Sequence, residues 1–137
     1  MDKVDAFVAN NPVEKTDHLV SSEELSSMAT RIGISIGKGL ETYLLKYGYL
    51  AYKHIELYGV NSRQNENSDF IKATIRLHKT FPNTTSYSVL EDKGDGDYIL
   101  LDKDDNVYEF IPTAYEDIRP LDLKLEEYIV NRFKSEI

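Results

Sequence analysis

Asp97-Tyr98-Ile99-Leu100-Leu101-Asp102-Lys103-Asp104-Asp105-Asn106-Val107-Tyr108-Glu109-Phe110-Ile111 reads as two strands joined by a turn. The flanking runs are aromatic and aliphatic, and Lys103-Asp104-Asp105 supplies turn residues between them. In the second run Val107 and Glu109 lie opposite Tyr108 and Phe110, the period of two that a strand requires. Two strands joined this closely pair antiparallel. Upstream, Tyr87-Ser88-Val89-Leu90 is also strand-like.

Working outward, helical periodicity takes over. A final helix spans roughly 121–135, with Leu125, Ile129 and Phe133 at i, i+4, i+8. Before the strands, Asp69 to about Lys79 carries Phe70, Ala73, Thr74 and Leu77 at helical spacing and is closed by Pro82. The polar run Asn61 to Ser68 reads as a loop. His54 to Tyr58 reads as a strand that ends at Gly59, preceded by the apolar stretch Tyr49 to Tyr52. Three helices lead the chain. The first, about 2–10, shows Val4, Phe7 and Val8 on one face and stops at Asn10-Asn11-Pro12. The second, about 22–32, has Ser21 and Glu24 at capping-box spacing, an apolar row of Leu25, Met28, Ala29 and Ile32, and Gly33 as its stop. The third runs to about Tyr47 with Leu40, Tyr43, Leu44 and Tyr47 on its inner face, and Gly48 ends it. Antiparallel strands beside one-faced helices predict an α+β class, in a single domain over 1–137.

The formal charge is −8, and its placement is uneven. Residues 1–83 hold ten acids and ten bases; residues 84–137 hold fourteen acids and six bases, so the whole excess lies in the second part. Such a field repels nucleic acid and attracts basic surfaces. With no cysteine there is no disulfide framework, thiolate site or thiol nucleophile, which fits a cytoplasmic protein. The acidic N-terminus does not read as a signal peptide, and no apolar run approaches a membrane span.

Chemistry-bearing patterns are few. His18, His54 and His78 lack ligand-spaced partners. Asp102, Asp104 and Asn106 alternate like the start of a calcium loop, but Val107 and Thr113 stand where that loop needs glycine and glutamate. Ile32 to Gly39 is glycine-bearing without the Gly-Lys-Ser/Thr ending of a phosphate loop, and reads as a helix turn. No Gly-x-Ser-x-Gly elbow occurs. These readings predict no enzyme, no cofactor and no metal. Four tyrosines, Tyr43, Tyr47, Tyr49 and Tyr52, fall close together. Helical spacing directs the first two to the core; the other two stay open between core and interface.

The order of these pieces resembles the SUKH superfamily, the domain of fungal cell-wall synthesis regulators and of many bacterial toxin-immunity proteins. The resemblance covers about residues 22 to 135. It rests on the pair of helices from Glu24 to Gly48, on Leu57-Tyr58-Gly59, on Gly94-Asp95-Gly96-Asp97-Tyr98 leading to Leu101-Asp102 and Asn106-Val107-Tyr108, and on Leu125, Tyr128, Ile129 and Phe133 in the closing helix. One departure stands out: family members usually open the second of the paired helices with Leu-Pro, and here the residues are Ile36-Gly37. The resemblance implies an antiparallel-rich sheet flanked by helices, no enzymatic activity, and a protein partner.

Together, resemblance and charge predict an immunity protein that sequesters a basic toxin domain, in many relatives a nuclease, without itself binding nucleic acid or membrane. The partner-binding residues expected are Glu91, Asp92, Asp95, Asp97, Asp102, Asp104 and Asp105. A regulatory adaptor of cell-wall or signalling type is the rival expectation. A small-ligand binder with its ligand in a groove beside the sheet is a third.

Overall fold

A computed structural model of the chain describes residues 1–60, 69–94, 96–115 and 117–137. The expected loop at 61–68 lies outside the described residues. Three helices come first: α1 (Asp2–Asn10), α2 (Ser22–Ile32) and α3 (Lys38–Lys46). The capping box at α2 is formed in both directions, with Glu24 N donating to Ser21 Oγ at 3.1 Å and Ser21 N to Glu24 Oε1 at 3.2 Å. Gly33 closes α2 at φ 80°.

A small hairpin comes next, β1 (Leu50–Tyr52) with β2 (Ile55–Leu57), so the apolar stretch before His54 is itself a strand. Helix α4 (Phe70–Thr80) is capped by Asp69, whose carboxylate accepts from Lys72 N at 2.9 Å. A short 3-10 turn at Pro82–Thr84 leads to the main sheet: β3 (Ser88–Asp92), β4 (Tyr98–Leu101), β5 (Asn106–Phe110) and β6 (Ile118–Lys124), antiparallel and in that order. Helix α5 (Leu125–Lys134) ends the fold. The α+β class therefore holds, and two corrections apply. Residues 118–124 form a strand, which takes up 121–124 where the first turn of the last helix was expected, and the single strand after α3 is a pair.

Each face of the main sheet has its own core. On one, Leu90, Ile99, Leu101 and Val107 pack with α1, α3 and α5; Phe7, Tyr52 and Phe133 meet there with ring centroids 5.2–5.6 Å apart. On the other, Val89, Leu100 and Phe110 pack against Ala73 and Leu77 of α4, and Phe81 sets its ring edge-on to Phe110 at 5.2 Å. The two hairpin turns of the sheet project from opposite ends of β4, which separates the acids of the β3–β4 turn from those of the β4–β5 turn.

Candidate protein-binding surface

The β4–β5 turn is built around Asp102. Its Oδ1 accepts from Asp104 N at 2.9 Å and Asn106 N at 3.0 Å; its Oδ2 accepts from Asn106 Nδ2 at 3.0 Å and Tyr108 OH at 2.9 Å. Burial pushes this carboxyl upward, but the hydrogen bonds from Asn106, Asp104 and Tyr108 outweigh it, and the group sits below the ordinary carboxylate range. The bond to Asp102, with burial, pushes Tyr108 up to about 12. The alternating acids that resemble a calcium loop are thus occupied in folding the turn. Among the described residues no three of His, Asp and Glu gather as a metal-holding group. Asp104 is exposed, and Lys124 Nζ donates to its backbone carbonyl at 2.9 Å. A groove of about 390 Å³ beside this turn is lined by Ser35, Tyr87, Asp102, Lys103 and Asp104.

Asp105 points the other way. At φ 65° it turns its carboxylate onto the start of α3, accepting from Gly39 N at 2.8 Å and Leu40 N at 3.0 Å. It caps a helix 65 residues away in sequence. A Cβ on Gly37 would lie 2.4 Å from Asp105 Oδ1, so the Ile36-Gly37 departure has a physical reason. The carboxylate fills the space that any side chain at 37 would need.

At the opposite end of β4 the acids divide again. Glu91 is only 2 % exposed. It accepts from Tyr128 OH at 2.6 Å and from Arg132 Nη2 at 2.9 Å and Nε at 3.1 Å, tying β3 to α5. Asp97 shares that side of the sheet with Glu109; burial first, then the Glu109 charge, pushes its carboxyl upward. Lys93 Nζ is 4.0 Å from Asp97 Oδ2, and Oδ1 is buried with no hydrogen-bond partner among the described residues. Asp92 is exposed on the α4 side, with Oδ1 accepting from Gly94 N at 2.9 Å. Asp95 lies outside the described residues.

Of the seven acids expected to form one surface, the six described ones are therefore not brought together. Glu91 is a buried ion-pair partner, Asp105 a helix cap, and Asp97 belongs to the α5 side. Asp92 and the Asp102–Asp104 pair share the α4 side but sit at opposite ends of it, roughly 14 Å apart for four residues at ~3.4 Å each. The tyrosine cluster also resolves: Tyr43, Tyr47, Tyr49 and Tyr52 are all core, at most 5 % exposed. Tyr43 OH donates to Tyr58 O at 2.9 Å, and Tyr49 OH donates to Glu14 Oε1 at 2.8 Å. Five half-exposed aromatic rings gather elsewhere, at Tyr58, Phe81, Tyr87, Tyr98 and Tyr108 around the α4 side of the sheet. Period-two placement of Tyr98 and Tyr108 with Leu100 and Phe110 is the one sequence signal for that set.

The family model described as SMI1-KNR4 cell-wall, SUKH_5, matches residues 3–133 of the chain. No curated protein matches it.

Proposed function

Because the chain belongs to the SUKH family of SMI1-KNR4 domains, we propose that it is a non-enzymatic binding module, an immunity protein that neutralises a basic toxin domain by direct contact. The observation that carries this reading is the β4–β5 turn. There Asp104 is exposed and Asp102 is held ionised beside a groove bordered by Tyr87. Permanent negative charge next to a tyrosine-edged concavity suits a cationic protein surface. The charge steers encounter, and the ring and groove supply contact area. Asp92 is the weaker candidate, since it shares its recess with Arg76 one to one, whereas Asp102 and Asp104 outnumber Lys103 at their groove. A nuclease toxin would present such a cationic surface, and a cytoplasmic setting would suit the absence of cysteine.

The test is co-expression with the product of the adjacent reading frame, scored as rescue of growth. Once a partner is in hand, Asp104→Lys should slow association about tenfold at low salt and flatten its salt dependence, since steering accounts for ~10–1000-fold in such pairs. Asp92→Lys serves as the comparison at the far turn. Rates that ignore both substitutions would show that charge plays no part in the encounter. The family description names the cell wall, which favours a second reading as a regulatory adaptor. Co-purification separates the two: a cell-wall or signalling protein in place of a toxin would decide for the adaptor.

A further inference from the structure

A recess of about 210 Å³ lies between α4 and the β3–β4 edge, away from the groove at Asp102. Its floor is apolar: Ala73, Leu77 and Val89 are each at most 5 % exposed. Its rim carries Tyr58, Tyr98, Arg76 and Asp92. Among the described residues neither phenol oxygen has a hydrogen-bond partner, and Arg76 is not ion-paired with Asp92. Two half-buried phenols and two exposed, oppositely charged side chains thus surround one apolar pit. Burial, with the Asp92 charge adding to it, pushes the Tyr58 phenol up to about 12, so it stays a donor at neutral pH. The Asp92 carboxylate, one oxygen of which is taken by Gly94 N, keeps the other free.

We propose that this recess binds a free α-amino acid with an apolar side chain, its carboxylate on Arg76, its ammonium on Asp92 and its side chain on the Ala73–Leu77–Val89 floor. Two opposite charges on one rim select a ligand carrying both signs; a purely anionic ligand would face Asp92 and a purely cationic one Arg76. Size agrees, because sites for drug-sized ligands and cofactors span ~300–1,000 Å³ and a single amino acid is smaller than these. The two phenols border the pit where a zwitterion's polar atoms would lie, and can donate to its carboxylate. This goes beyond the toxin-binding reading and is independent of it, since the protein alone is sufficient for the test.

The measurement is titration of the isotope-labelled chain with L-leucine and L-phenylalanine, following amide shifts by NMR. Saturable shifts confined to Tyr58, α4 and the β3–β4 edge are expected for the amino acids and absent for N-acetyl-leucine amide, which lacks both charges. Arg76→Gln and Asp92→Asn should each weaken binding about tenfold or more, the scale of a lost charge-assisted hydrogen bond. Both side chains are exposed, and unchanged shifts elsewhere would show that the variants fold. No saturable shift up to millimolar ligand, equal binding of the neutral derivative, or indifference to both variants would each overturn the proposal.

Discussion

Asp102, Asp97 and Asp105 lie within nine residues of one another and have three unrelated fates: Asp102 is bound by its own turn, Asp97 is crowded by Glu109 of the next strand, and Asp105 reaches a helix 65 residues away. Asp105 reads as a turn residue, and it is one, at φ 65°. Its role as the cap of α3 depends on Gly37, whose missing side chain leaves the carboxylate its place. Asp105→Ala should cost about 1–2 kcal/mol, a lost helix cap, read as a lower denaturation midpoint without a change in slope. Gly37→Ala should cost a similar amount by expelling the same carboxylate. The other two acids have opposite pH signatures. Asp102 is held below its unfolded value, so its contribution to stability is present above the unfolded carboxylate range and fades as pH falls through the depressed folded value. Asp97 is raised by burial and by Glu109, so its ionised form weakens the fold at neutral pH, and that penalty disappears as acid protonates it. Asp97→Asn should therefore raise the melting temperature at pH 7, with the gain vanishing by about pH 4, whereas Asp102→Asn should lower it, with a deficit that shrinks in acid. Melting curves of the two variants from pH 3 to 8 check both signs.

Among the elements, those with local signals were readable and those shaped by irregularity were not. Helix α2 carries its capping box and terminal glycine in its own eleven residues and neighbours, and it begins and ends where these place it. Strand β6 hides its period of two behind Pro120, a register shift against β5 between Asn106 and Tyr108, and Asp122 at φ 58°. Those same features suit an edge, since Pro120 offers no N–H and the irregularity spoils a flat ladder for another chain. The β1–β2 hairpin is hard to see in the sequence because it turns on Lys53 at φ 56°, where glycine or asparagine is the usual sign. Helix α5 is fastened to β3 by the Glu91–Arg132 pair, a contact spanning 41 residues. Removing one partner of a buried pair strands the other charge, so Glu91→Leu or Arg132→Met alone should destabilise by ~3–5 kcal/mol. The double variant, with no charge left in the site, should recover most of that loss. Urea unfolding of the three proteins forms the cycle, and additive losses would show that the two side chains do not act as a pair.

At the scale of the whole molecule, the excess of negative charge was legible in composition, but its distribution was not. A chain read in one direction places 92 beside 102; a hairpin sends them to opposite ends of a strand. Buried pairing then removes Glu91 from the surface, and helix capping engages the half-buried Asp105. What remains is a molecule of formal charge −8 whose exposed Asp92 and Asp104 stand toward opposite ends of β4. Screening gives this arrangement a measurable consequence. In 0.15 M salt the Debye length is about 8 Å, shorter than the roughly 14 Å between the two turns, so each turn acts alone; at 0.01 M it is about 30 Å, and every acid senses the rest. Self-repulsion should therefore lower stability at low ionic strength, and the melting temperature should rise as salt increases. Asp104→Asn, at an exposed side chain with no ion pair to lose among the described residues, should raise the melting temperature at 0.01 M salt by a degree or so and leave it unchanged at 0.15 M. Melting temperatures of wild type and variant across that salt range make the comparison. A variant that behaves the same at both salt concentrations would mean that Asp104 senses only its immediate neighbours, Lys103 and Lys124 among them, and not the charge of the molecule.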